Sequence, residues 1–419
     1  MKRLFWEILE IKINPRIAKF RNNLVVKMKT NWPTKKLKDL LESFDAGMWG
    51  KPAPEGKGLL ILRSTNITNE GSLDFSNVAE LDIQNKIEKL KLFDGDILLE
   101  KSGGGPDQPV GRVAYFVAPN HRVYSFANFI QRIRARSDLI DSRFLFYRLL
   151  LLHKIGFTKK LQSQTTGIRN LKLSLYLKTE IPLPPLKIQK QIVERLDKIA
   201  EAQKLNDELI QKSDELFQSL LHQELDSASR DWELKKLGEV CEKIIQAHPS
   251  KFFKRSFHYI DISSINSKSK TVEAFSTCSI DQAPSRARKL VQKNDILFAT
   301  TRPYLENIAI VPDTCEDFVA STGFCVIRAN TEYTIHDFLF FNVISRPFIR
   351  KILPFQRGAN YPAVSDKNVY GIKIPLPPLE TQKQIVEKLS AAQEYKKQLL
   401  EQKLKLKELF DSVLHKSIE

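Results

Sequence analysis

The chain has little cysteine, no long apolar run and none of the common catalytic signatures. Its four cysteines, Cys241, Cys278, Cys315 and Cys325, all fall in the second half of 419 residues, and none forms a C-x-x-C pair. That excludes a disulfide framework and argues against structural zinc, and it suits a reducing, cytoplasmic setting. No purely aliphatic run exceeds the four residues of Leu149–Leu152, far short of the ~20 residues of a membrane-spanning helix. The first residues carry Lys2 and Arg3, then an apolar stretch broken by Glu7, Glu10 and Lys12, so no clean secretory core reads from them. H-E-x-x-H, an EF-hand loop and G-x-x-x-x-G-K-[ST] are all missing. So are an N/D-P-P-F/Y methyl-transfer signature and a PD…E-x-K nuclease triad. Gly103, Gly104 and Gly105 form a run that does not fit G-x-G-x-x-G. The reading is a chain with no catalysis, cofactor or metal of its own.

What is abundant is positive charge and repetition. The net charge is +17, which points to a polyanion, nucleic acid before membrane. IPLPPLKIQKQIVERL at 181–196 returns as IPLPPLETQKQIVEKL at 374–389, with thirteen of sixteen positions identical. ELFQSLLH at 215–222 returns as ELFDSVLH at 408–415 at the same offset of 193. A repeat this long has to be read first, because it sets the architecture. The repeated elements carry almost no net charge. Residues 1–31 carry +6 and the two regions between the repeats about +13, so a polyanion would bind those regions.

Each repeat reads as an extended proline segment followed by a helix. Pro182, Pro184 and Pro185 exclude a helix where they stand, and one starts near Leu186 or Lys187. Apolar positions then recur at Ile192, Leu196, Ile199, Ala202, Leu209, Leu216 and Leu220. The second copy has Ile385, Leu389, Ala392, Tyr395, Leu399, Leu406, Leu409 and Val413. Steps of three and four make a heptad-like stripe suited to a helical partner. Asn206 and Ser213 interrupt the first stripe where the second has Leu399 and Leu406, and Gln402 stands where the first has Leu209. Unlike copies suit pairing with each other rather than self-pairing. Forty residues at ~1.5 Å per residue make a rod of ~60 Å.

The regions before the repeats, 32–180 and 227–373, open with WPTKKL and WELKKL and read as mixed α/β. Short β-rich runs fall at 59–67, 95–101, 111–117 and 127–134, then at 258–265, 295–300, 307–311 and 323–328. Helices are expected at 142–157 and 335–353, and polar stretches at 162–170 and 356–362 precede each proline block. GDILL and NDILF mark equivalent strands. Residues 1–31 have no counterpart, and two readings stay open for them: a basic arm, or translation starting at Met28.

Two divergent α/β regions, each opening on W-x-x-K-K-L and closing on IPLPPL-x-x-Q-K-Q-I-V-E with a long helix, resemble the specificity subunit of type I restriction–modification enzymes over 32–419. The resemblance implies an α+β chain. Two target recognition domains, 32–180 and 227–373, would be separated by a central (181–226) and a distal (374–419) conserved region, whose helices pair as an antiparallel coiled coil with pseudo-two-fold symmetry. It implies no catalysis, double-stranded DNA as ligand, each domain reading half of a bipartite site, and helices that fix the gap. It further implies two docked methyltransferase subunits and a restriction/translocase subunit in the full complex.

Polar and basic loops at strand ends supply the candidate DNA contacts: Arg63, Ser64, Asn66, Lys101, Ser102, Arg112, Thr165, Thr166, Arg169 and Asn170 in the first domain. In the second they are Ser263, Ser264, Thr300, Thr301, Arg302, Tyr304, Arg357, Asn360 and Tyr361. Arg and Lys suit phosphates and guanine, Asn suits adenine, and Tyr can stack. The rival reading is a coiled-coil scaffold whose basic surface is incidental.

Overall fold

The computed structural model describes residues 32–54, 56–82, 87–105, 108–165, 167–225, 231–312 and 316–418. The expectation for 1–31 lies outside the described residues. The chain divides into two compact units, one built from the chain up to Asp207 together with Glu401 onwards, the other Glu208–Leu400.

In the first unit, the opening and closing motifs of region 32–180 are partners. Thr34–Lys36, from WPTKKL, pairs antiparallel with Glu180–Pro182, from the proline block. Proline is tolerated there because a two-stranded ladder leaves one edge of each strand free. The leucine ending the first motif, Leu37, is fully buried. Between these ends lie two four-stranded sheets. One runs Leu41–Ala46, Ile130–Ala135, Ile97–Glu100, Val113–Tyr115, all antiparallel. The other holds Leu59–Leu62 between Ala79–Asp82 and, in parallel, Tyr124–Phe126. The helix Ser142–Lys154 is capped by Asp141, whose carboxylate accepts from the N–H groups of Arg143 and Phe144.

The second unit repeats this plan. Glu233–Lys236 pairs with Lys373–Leu376. Ile296–Ala299, the NDILF strand, lies between Ile308–Ile310 and Phe324–Ile327, as the GDILL strand Ile97–Glu100 lies between its two neighbours. Ser256–Ile260 runs parallel to Phe318–Ser321, as Leu59–Leu62 does to Tyr124–Phe126. The single helix expected over 335–353 is two, His336–Val343 and Arg346–Ile352. Pro347 cannot donate to the preceding turn, and Ser345 caps the new helix by accepting from Phe348 N–H.

Two partly buried ion pairs account for the aspartate shared by GDILL and NDILF. Asp96 accepts a bidentate bond from Arg134 at 2.7 and 2.8 Å and a bond from Phe93 N–H. Asp295 repeats this with Arg328 at 2.8 and 2.7 Å and Gln292 N–H. Each aspartate ties the turn before its strand to the neighbouring strand.

The long helices are Leu186–Leu225 and Leu379–Ile418. Within the first unit, Ile192, Leu196 and Ile199 share a core with Phe144, Tyr147, Phe410, Val413 and Leu414. Gln203 Nε2 donates to Leu406 O at 3.2 Å and Lys403 pairs with Asp207 at 2.9 Å. As one helix advances the other retreats, so they run antiparallel. Within the second unit, Lys388 pairs with Glu224 at 2.9 Å and Lys396 with Asp214, in the same sense. Ile385, Leu389, Leu399, Leu406 and Val413 are buried, while Leu216, Leu220 and Leu409 are half-buried. Leu209 departs from the expected stripe, being 43% exposed, while Asn206 and Ser213 are buried. Heptad steps from Ile192 and Ile199 land on 206 and 213, so the two polar residues sit on the seam and Leu209 flanks it.

His153, near the end of helix Ser142–Lys154, bonds to Thr158 Oγ1 at 3.0 Å. Burial, reinforced by the charge of Arg112, pushes its pKa down to about 4. The unfolded imidazole takes up a proton near pH 6.5, well above the pH at which the folded one does. Stability of this unit should therefore fall as pH drops from about 6.5 towards 4. In thermal unfolding at pH 7 and pH 5, His153→Gln should show a smaller loss than the parent; equal losses would exclude this origin.

Candidate nucleic-acid interface

In the first unit, strand Ile97–Glu100 runs out at Lys101. Its continuation, Ser102–Gly103, becomes the edge of a small sheet with Ile168–Leu171 and Gln162–Thr165. Gly103 lies opposite Arg169, and Ser102 opposite Asn170. Lys101 O accepts from Leu171 N–H at 2.8 Å, and Lys101 N–H donates to Phe129 O. Four candidates separated by some seventy residues are thus neighbours. Gly103, at φ +116°, holds a backbone shape that a side chain would strain. Lys101 forms no ion pair among the described residues, and partial burial lowers its pKa from the ordinary lysine value. An anion placed there would reverse that effect. The side chain of Thr165 and all of Thr166 lie outside the described residues.

The other first-domain candidates divide. Arg63 is half-buried, and its Nη2 donates to Asn77 O and Oδ1 at 3.1 and 3.2 Å. Ser64 is half-buried. Asn66 and Arg112 are occupied inside the fold. Asn66 Nδ2 donates to Asp74 O and Asn77 O, and its Oδ1 accepts from Arg63 N–H. Arg112 holds Glu100 bidentately at 2.9 and 2.8 Å and donates to the carbonyls of Ile67 and Ser64. Polarity made both look like contacts; burial gives them the task of fixing the 64–67 turn.

The second unit places its candidates at the equivalent strand end. After Ile296–Ala299, Thr300 is buried, with Oγ1 donating to Gly323 O at 2.9 Å, while Thr301 bridges to Ala363. Arg302 N–H donates to Pro362 O at 2.7 Å, and Arg357 and Ala363 exchange backbone bonds at 2.9 Å. The strand end and the segment after the domain helices are therefore stitched together, as in the first unit. Arg302 sits at φ +50°, in the left-handed region that few non-glycine residues occupy. Its guanidinium lies 4.9 Å from the Tyr361 ring centroid, and Nη2 donates to Asn360 O at 3.4 Å. Tyr361 is 70% exposed, and Tyr304, Asn360 and Arg357 are exposed. Ser263 is exposed, its Oγ donating to Asp261 Oδ1 at 2.6 Å. Ser264 and Thr300 are occupied inward: Ser264 bonds Asp261, which caps its turn.

Sequence reasoning missed Phe355 and Leu305, exposed apolar residues near this face. Among the described residues, no group of three His, Cys, Asp or Glu could hold a metal, and no helix is long and apolar enough to cross a membrane.

A Methanocaldococcus jannaschii chain, provisionally named the MjaX type I restriction enzyme specificity subunit, is 25% identical over 418 residues, spanning 95% of this chain and 94% of that one. The HindI type I restriction enzyme specificity subunit of Haemophilus influenzae is 27% identical over 167 residues, 38% of this chain and 34% of that one. The type I restriction–modification S subunit from M. genitalium superposes with a TM-score of 0.57 at 15% identity, covering 94% of this chain and 98% of that one, a likeness of fold. The family described as "Type I restriction modification DNA specificity domain" matches residues 29–212 and again 229–408. With two copies of that domain over most of its length, the chain belongs to the type I restriction–modification DNA specificity family.

Proposed function

We propose that this specificity subunit reads a bipartite, asymmetric DNA sequence, with each recognition region reading one half in double-stranded DNA. The observation carrying the reading is one face built twice with different side chains. Lys101, Ser102, Arg169 and Asn170 occupy the strand end in one copy, and Thr301, Arg302, Tyr304, Asn360 and Tyr361 the same strand end in the other. Same scaffold and different readers give different half-sites, separated by a gap that the antiparallel helices set. The chain supplies recognition and has no catalysis of its own. Its helices dock two methyltransferase subunits, with a restriction/translocase subunit joining in the cytoplasm.

Methylome sequencing of the native host tests this directly. The expected result is a methylated motif of two unrelated half-sites with a fixed gap; an uninterrupted motif would count against it. Binding to that motif should also weaken steeply with salt, the log–log slope being about −0.9 per phosphate contact. Salt-independent binding would favour a scaffold with an incidental basic surface.

A further inference from the structure

We infer that Gln189 and Gln382 are spacing residues: each locks its recognition region to the start of its long helix, and so holds the gap between half-sites to one length. This rests on the bipartite reading above.

Both glutamines have no exposed surface, and both belong to the repeated QKQ. A buried amide is costly unless its oxygen and nitrogen are all satisfied. Gln189 Oε1 accepts from Asp141 N–H at 2.8 Å, and its Nε2 donates to Pro184 O at 2.7 Å. Asp141 is the cap of the domain helix, Pro184 belongs to the proline segment, and Gln189 itself lies in the first turns of the long helix. One side chain therefore joins three elements at the point where domain becomes rod. Gln382 does the same with more bonds. Its Oε1 accepts from Thr334 Oγ1 at 2.9 Å and Ile335 N–H at 3.2 Å, and its Nε2 donates to Tyr333 O and Pro377 O at 3.0 and 2.9 Å.

The alternative hinge at this point is the short proline segment. Its prolines have no N–H and form few backbone bonds, and the carbonyls of Pro184 and Pro377 take their cross-bonds from the glutamine amides instead. A rotation at that joint that moved the recognition face by about 3.4 Å would change the gap by one base pair. The joint must therefore be stiff for spacing to be specific. The two joints are unequal. Thr334, itself fully buried, adds a donor where the first region has Ile140. The first joint should be the softer of the two.

The test uses the native complex purified from its host through this chain, with bound duplexes selected from a random-sequence pool and sequenced. Gln189→Met and Gln382→Met keep volume and remove the amide. The parent should return one gap length. Gln189→Met should return the same half-sites with gaps one base pair shorter and longer enriched, and discrimination between gaps should fall about tenfold, equivalent to about 1.4 kcal/mol. A purely structural glutamine would lower yield or melting temperature without moving the gap distribution. A single parental gap in both folded variants overturns the inference. Should the methionine variants fail to assemble, Gln189→Asn decides, because it keeps an amide that is one methylene too short to bridge Asp141 N–H and Pro184 O: a broadened gap supports the role and an unchanged one overturns it. An unsplit motif from the parent itself would defeat the bipartite reading, visible in that arm alone, and the spacing role with it.

Discussion

Replacing Glu100 by alanine should destabilise the first unit by about 3–5 kcal/mol, because it leaves the Arg112 guanidinium buried without its counter-charge. Glu100 is 1% exposed and Arg112 8%. The pair is bidentate, and the remaining Arg112 donors reach the carbonyls of Ile67 and Ser64. Losing the carboxylate thus loosens both the exit of strand Ile97–Glu100 and the 64–67 turn, on which Arg63 and Ser64 are mounted. Chemical denaturation of the full chain measures the loss. Replacing both partners together, Glu100→Met with Arg112→Met, should recover much of it, since a packed apolar pair avoids an isolated buried charge. A Glu100→Ala change within about 1 kcal/mol of the parent would show that the pair contributes little. Arg112→Ala should likewise lower stability and leave base preference unchanged wherever the domain stays folded, which distinguishes a structural arginine from a reading one.

How much of this was legible depended on whether a residue's task is written locally. The proline segments and the onset of each long helix could be read because proline's missing donor acts at its own position. The GDILL and NDILF strands could be read because β-branched runs bounded by Gly, Asn and Asp act over a few residues. The reason for their shared aspartate could not be, because Arg134 and Arg328 stand more than thirty residues downstream. The burial of Asn66, Arg112, Ser264 and Thr300 could not be read for the same reason: a polar residue in a loop looks alike whether it faces solvent or a buried carbonyl. The seam error at Leu209 is different. Apolar character favours Leu209 for the seam, whereas the 3.5-residue repeat carries through Asn206 and Ser213 regardless of their polarity. Gln189 and Gln382 stood in plain view inside the longest repeat. Only the carbonyls and caps they bond reveal why those positions are glutamine.

Arg302→Ala should cost about 1–3 kcal/mol of DNA affinity and relax the preference at one base position of one half-site, leaving the other half-site as sharp as before. The argument is preorganisation. Arg302 is held in a left-handed backbone conformation, with its N–H bonded to Pro362 O and its guanidinium set against the Tyr361 ring. A stacked guanidinium has lost much of its rotamer freedom before DNA arrives, so less entropy is lost on binding. Its planar fork suits a guanine edge, which a lysine ammonium cannot match bidentately. Arg302→Lys should therefore keep the salt dependence but lose the base preference. Tyr361→Ala should act in the same direction as Arg302→Ala by freeing the guanidinium. Lys101→Ala, at the equivalent strand end of the first unit, should weaken binding alike for all sequences and reduce the salt slope by about 0.9, the signature of a lost phosphate contact. Affinities measured against single-base variants of the selected site, at two salt concentrations, separate these cases. If Arg302→Ala weakened every sequence equally and moved the salt slope, Arg302 would be a phosphate contact, and the choice of base in that half-site would rest with Asn360, Tyr304 or Arg357.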